Sequence, residues 1–173
     1  MDVRREGMDG LIDFLADTTD PLLYSILLFL YSIAATVALP IPVEAALFFN
    51  LNQNVFSKAL MVAMGKAIGS VAVLWIGGGI GGLMESRLMT NNLSKLVINF
   101  CKWLVFKFHY IGLYIILSIP LMVDTVPLYL FSIFNEKGLM RPKPFAYVNF
   151  MAAINRVLII MIVFEIWGIQ IAA

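Results

Sequence analysis

Charge, cysteine and histidine are all scarce in this chain of 173 residues. Charged residues make up 13% of it, against roughly a quarter in a soluble domain. A single thiol, Cys101, excludes an internal disulfide and leaves the redox compartment unread. A single imidazole, His109, has no cluster of ligands around it, so no metal motif exists; an interfacial position is expected for it. The formal net charge is +1 and no basic stripe is present, which argues against nucleic acid as a partner. Apolar and polar residues do not alternate, and that excludes a membrane β-barrel. What remains is apolar: 61% of residues are hydrophobic, in several runs near the roughly 20 residues that cross a bilayer core of about 30 Å. The composition predicts one all-α integral membrane domain, multi-pass and in the cell membrane, without enzyme chemistry or cofactor.

Four segments follow from the pattern. Over residues 1–20, Asp2, Glu6, Asp9, Asp13, Asp17 and Asp20 recur every three or four positions opposite Leu11, Ile12 and Leu15, the pattern of an amphipathic lead-in. Its start is not net basic, so no secretory signal is expected. In residues 21–86, Asp20 and Pro21 mark a helix start. The apolar run that follows is broken by Pro40 and Pro42, which remove backbone donors. A second apolar helix is expected from about Ala59 to Met84, interrupted by Lys66. It carries Gly65, Gly69, Gly77 and Gly81, whose spacing lets helices approach closely. Gly77, Gly79 and Gly82 also satisfy a dinucleotide fingerprint, but no strand precedes them and that reading fails.

Residues 87–109 turn amphipathic, with Lys95, Asn99 and Lys102 on one helical face and Leu93, Leu96, Val97, Phe100, Trp103 and Leu104 on the other, as in an interfacial helix. In residues 110–173, Pro120 and Pro127 bracket Asp124 and disfavour helix at the residues before them. The two arms, from Ile111 to Pro120 and from Pro127 to Phe134, are each about 13 Å long at 1.5 Å per residue, which predicts a re-entrant hairpin with Asp124 at its tip. A final helix is expected from about Phe145 to Ile171, with Arg156 inside it.

Four charges in apolar surroundings carry the functional expectation: Glu44, Lys66, Asp124 and Arg156. A carboxylate at bilayer depth costs on the order of 3 kcal/mol or more, so each needs compensation. The two halves agree in order. Each has an acid in a proline-broken hairpin, then a helix with a basic residue a third of the way along and a Trp near its end, Trp75 or Trp167. One hairpin and one crossing per unit would make the second copy inverted, the plan of many transporters. Glu44 and Asp124 would then meet near the midplane, within reach of Lys66 and Arg156. These charges either line a polar chamber for an ion or an anionic headgroup, or merely neutralise one another and hold the hairpins in place.

The residues Pro40, Pro42 and Glu44, the glycine-rich helix with "WIG" at Trp75 to Gly77, the second hairpin with Pro120 and Pro127, and the later Phe145, Asn149 and Ala153 fall in an order that resembles the DedA family, of the VTT or SNARE-associated Golgi superfamily. The likeness covers roughly residues 30–170. It implies paired re-entrant hairpins in an inverted repeat. It also implies movement of lipid between leaflets, as scrambling or flipping of phospholipid or polyprenyl-phosphate carriers, with ion coupling in some members. The chain departs from the family where the latter has arginines: the positions near Leu117 and Val123 are apolar here, and Ser70 and Gly78 stand for a helical acid and arginine. Expected partners are membrane lipids, with protons or sodium as coupling ions and a homo-oligomer as a compatible state. Rival readings are an ion-coupled exporter of small solutes and a non-transporting membrane scaffold.

Basic residues concentrate in 87–107 and 137–143, against Arg4, Arg5 and Lys58 on the opposite side of the proposed repeat, so the positive-inside rule puts the amphipathic segment in the cytoplasm and both termini outside. In a background lacking Cys101, a Lys95→Cys variant should react with an impermeant maleimide applied from the cytoplasmic side; reaction only from the other side reverses the orientation.

Overall fold

A computed structural model of the chain describes residues 20–39, 43, 54–88, 92–135 and 138–166. Among them all regular structure is helical: α1 (Pro21–Val37), α2 (Val55–Leu88), α3 (Asn92–Leu117), α4 (Thr125–Ile133) and α5 (Pro142–Ile166). The lead-in over 1–19, Pro40, Pro42, Glu44 and Trp167 lie outside the described residues.

Local chemistry sets the boundaries. The Asp20 carboxylate accepts from the Leu22 N–H at 3.0 Å, and Pro21 holds the first helical position, where no donor is needed. Asn54 starts α2 likewise, accepting from the Phe56 N–H at 2.8 Å. Helix α2 begins four residues before the expected Ala59 and continues past Met84. Helix α3 is bent at His109, whose φ of 40° and ψ of −126° are not helical. This bend falls where the amphipathic pattern gives way to the apolar arm. Helix α4 starts at Thr125, ahead of Pro127, and Val126 is helical in spite of the proline after it. The first intrahelical bond, from Leu128 N–H to Asp124 O at 3.1 Å, lies beyond the proline, so Pro127 costs α4 nothing. For the same reason α5 begins at Pro142, three residues before the expected Phe145.

Helix α2 is the spine, in contact with α1, α4 and α5, while α3 packs on α5 and α4. One core joins Tyr24, Leu28 and Tyr31 of α1 to Ala59 and Val62 of α2, and another joins Val73 of α2 to Leu113, Leu128, Phe131 and Phe145. The approach of α1 to α2 depends on small residues. A Cβ at Gly65 would lie 2.7 Å from both Phe29 O and Ser32 Cβ, and one at Gly69 would lie 2.8 Å from Thr36 Cβ. Glycines four apart on α2 therefore face Ser32 and Thr36, four apart on α1. Gly77 meets Ser132 of α4 in the same way, whereas Gly81 continues α2 with its surroundings outside the described residues.

Two stretches, Val55–Ile80 and Pro142–Ile166, are long and apolar enough to cross a membrane, at about 39 and 37 Å. Their outer faces expose Ile68, Trp75, Leu158 and Ile162. The architecture is compatible with an all-α membrane protein.

The glycine seam gives a paired test by thermal unfolding in detergent. Gly69→Ala should destabilise by about 1–3 kcal/mol through overpacking against α1. Gly78→Ala, with nothing within 4 Å of the added methyl, should be neutral or stabilising by up to about 1 kcal/mol. Equal effects at both positions would show that α1 does not lean on this seam.

Candidate functional site

The segment Ser118–Asp124 between α3 and α4 has no regular structure, and Leu121 within it adopts a φ of 60°. Asp124 occupies the N-cap position of α4 but gives its own helix no side-chain bond. Its carboxylate turns to two other helices. Oδ2 lies 2.5 Å from Lys66 Nζ on α2, and Oδ1 lies 2.6 Å from Arg156 Nη2 on α5. All three side chains are withdrawn from the surface, with exposures of 1% for Lys66, 5% for Asp124 and 0% for Arg156. Arg156 also donates from Nη1 to Met122 O at 3.1 Å, tying the irregular segment to α5. Asn149, two turns before Arg156, donates to Lys66 O at 2.8 Å and fastens α5 to α2 beside the cluster.

The same end of α4 grips α1. Thr125 Oγ1 lies 3.2 Å from both Ala35 O and Leu39 O, and the Tyr129 hydroxyl donates to Val37 O at 3.0 Å. Helix α4, nine residues long, is thus fastened by side chains near its first turns to α1, α2 and α5. At the other end of the arm, the Tyr110 hydroxyl beside the His109 bend accepts from Arg141 N–H at 2.7 Å and donates to Leu139 O at 3.3 Å. The Asn135 side chain and the Met140 backbone, paired at 2.8 and 3.0 Å, close the turn into α5.

Of the residues singled out in the sequence, Lys66, Asp124 and Arg156 come together, and Glu44 falls outside the described residues. Pro120 lies in the irregular segment and Pro127 in the first turn of α4. Sequence reasoning passed over Thr125 and Tyr129, and had Asn149 only as part of a motif order, with no role. The signal for Asn149 was its seven-residue spacing from Arg156, which places both on one helical face. It also treated Lys58 as a peripheral charge. Lys58 is fully buried, with Nζ 5.8 Å from the centre of the Tyr24 ring. An open groove of about 600 Å³ between the outer faces of α1 and α2, lined by Pro21, Ser25, Phe29, Met61 and Met64, is almost wholly apolar and holds none of these charges.

Two bases sharing one buried carboxylate can act in either of two ways: as a fixed electrostatic clamp, or as an anion site whose resident anion is the protein's own. No protein-family model matches the chain, and no curated protein or solved structure matches it.

Neutralising the shared partner should cost more than neutralising either base. Asp124→Asn strands two buried cations and should lower stability by about 3–5 kcal/mol, measured by denaturation in detergent. Lys66→Met leaves Asp124 paired with Arg156 and should cost less. Adding Lys66→Met to Asp124→Asn should recover part of the loss, giving a coupling energy of at least about 1 kcal/mol. Strict additivity would mean that the ion pair is absent in solution.

Proposed function

We propose that this chain is a multi-pass membrane transporter that moves lipid, of phospholipid or polyprenyl-phosphate type, between leaflets in the manner of a scramblase or flippase. The observation that carries this reading is the buried Lys66–Asp124–Arg156 cluster at a break between two short helical arms. A charged cluster in apolar surroundings is costly, and in membrane proteins such residues commonly mark a pathway. The arms support re-entry. The apolar arm after His109 and α4 are each about 12–13 Å long, enough to reach the middle of a bilayer core and no further. The segment joining them exposes Ile119 and Leu121, the latter at 68%, a surface suited to hydrocarbon rather than water. Lys66 and Arg156, matching positions of the suggested inverted repeat, reach the same carboxylate from α2 and α5. The order of motifs resembling the DedA family points the same way.

The mechanism is an exchange of anions. A lipid phosphate entering from one leaflet competes with Asp124 for Lys66 and Arg156. As it takes their charge, the hairpin loses two ion pairs and can swing from α2 and α5, opening a path for the headgroup while the tails stay in hydrocarbon. The ligand shifts the equilibrium by binding the open arrangement better than the closed one. The near-complete burial of the three charges favours a second reading, in which they are structural and the chain is a scaffold.

Reconstituted vesicles separate the two. With a fluorescent phospholipid and an impermeant quencher, wild-type protein should render inner-leaflet label accessible, and Lys66→Gln or Arg156→Gln should slow this more than it lowers melting temperature. Asp124→Asn with Lys66→Met should remain folded and transfer poorly. Full transfer by that double variant would assign the charges to structure; absence of transfer in wild type would favour the scaffold, or an exporter of small solutes if solute uptake is found instead.

A further inference from the structure

Residues 85–143 hold seven of the chain's twelve basic residues and three of its eleven acids, one of which, Asp124, is buried with its own bases. The fold gathers part of this excess at one end of the bundle. The Tyr110 hydroxyl, beside the His109 bend, accepts from Arg141 N–H at 2.7 Å and donates to Leu139 O at 3.3 Å, so the start of α5 stands against the bend of α3 although Tyr110 and Arg141 are 31 residues apart. Lys107 on one side of this junction, and Arg141 and Lys143 on the other, are exposed. Trp103 and Phe106 are exposed on the same face of α3 as Lys107, opposite the buried Val105, and Lys107 Nζ lies 5.0 Å from the centre of the Trp103 ring. The bend is written into the sequence as well. A Cβ at Gly112 would lie 2.6 Å from Phe108 Cβ, so only glycine there lets the chain turn so closely at His109.

We infer that Lys107, Arg141 and Lys143, with Trp103 and Phe106, form a docking surface for the head groups of anionic phospholipids. Position argues for lipid over a soluble acidic partner. Arg141 directly precedes α5, one of the two stretches long and apolar enough to cross a membrane, and Lys107 stands just before the bend that opens the apolar arm. Past the charges the exposed surface turns to hydrocarbon, with Ile111 and Ile115 on the arm. The three cations therefore lie where water gives way to acyl chains, the level of lipid phosphates, and tryptophan prefers that same level. Lysine and arginine reach phosphates from there by laying their stems along apolar surface. Charge selects the lipid. A zwitterionic head group brings its own cation to the phosphate, whereas an anionic one brings net negative charge, and each basic side chain near a charged leaflet favours association roughly fivefold. The cytoplasmic leaflet, where such lipids gather, is the one to which the positive-inside rule assigns these segments. Because the surface joins the bend of α3 to the start of α5, lipid bound there would brace the base of the arm that leads to Asp124. The inference rests on the membrane-spanning reading of α5 and does not require that the protein move lipid.

The test is quenching of tryptophan fluorescence by brominated lipid in phosphatidylcholine vesicles, with Trp75→Phe and Trp167→Phe leaving Trp103 as the reporter. At equal mole fraction, brominated phosphatidylglycerol should quench Trp103 more than brominated phosphatidylcholine does, with association favoured about fivefold or more. The preference should shrink as salt is raised. Combining Lys107→Gln, Arg141→Gln and Lys143→Gln should bring the two lipids close to parity. Where the phenylalanine background does not fold, the difference in quenching between the native chain and Trp103→Phe gives the same quantity. Equal quenching by the two lipids with all three cations present would leave the surface to an acidic protein and overturn the inference. A preference that survives the triple substitution, or a Trp103 that neither lipid quenches, overturns it too.

Discussion

Everything else in this bundle is arranged around the need to keep three charges dry. A carboxylate shared by a lysine and an arginine is tolerable in low dielectric only when its partners are held at contact distance, because removing the carboxylate strands both bases. That requirement fixes helices distant in the chain. Lys66 sits about a third of the way along α2, Arg156 lies deep in α5, and Asp124 stands at the head of α4, so the cluster ties α2, α4 and α5 at one point. Asn149 adds a neutral bond between α5 and α2 at the same level. The hydrophobic cores on either side give cohesion but little register, and the cluster supplies it.

The same economy explains the irregular backbone. Where a helix ends inside apolar surroundings its terminal carbonyls need donors from elsewhere, and α1 finds them in the hydroxyls of α4. Thr125 follows Asp124 directly, and Tyr129 lies one turn on, so one face of a nine-residue helix serves both the ion cluster and the end of α1. The positive φ values at His109 and Leu121 bracket the opposing arm. Such conformations are unfavourable for residues with side chains and persist where the surroundings over-determine them. Tyr110, bonded to Leu139 and Arg141, supplies that constraint at one end, and Arg156, bonded to Met122, supplies it at the other.

The sequence was most legible where a single residue type carries a single physical meaning. Asp20 with Pro21 marks the start of α1, and the glycines at 65, 69 and 77 mark the places where helices touch. Lys66, Asp124 and Arg156 stand out because charge is rare in apolar runs. Helix starts at prolines were less legible, since proline both breaks helices and tolerates their first turn, and which applies depends on where the first bond forms. That ambiguity accounts for the displaced starts of α4 and α5. Least legible were the neutral polar residues. Thr125, Tyr129 and Asn149 act on backbone oxygens contributed by other helices, and no local pattern reveals such a partner. Lys58 was misread for a related reason: near a helix start it looks peripheral, and only packing against Tyr24 removes it from the surface.

The two kinds of contact divide the bundle into a fixed part and a part with a different character. Small residues join α1 to α2 over two helical turns, and such a seam has one good register, because any slide drives a Cβ into backbone. Helix α4 combines polar bonds at its head with buried packing further along, where Leu128 and Phe131 enter the second core and Ser132 meets Gly77. Polar bonds can be exchanged for others of equal strength, a carboxylate for a phosphate, whereas lost close packing has no substitute. The irregular segment before α4 is the stretch tied chiefly by such exchangeable bonds, through Met122 to Arg156 and through Asp124 to Lys66 and Arg156, beside the close-packed frame of α1 and α2.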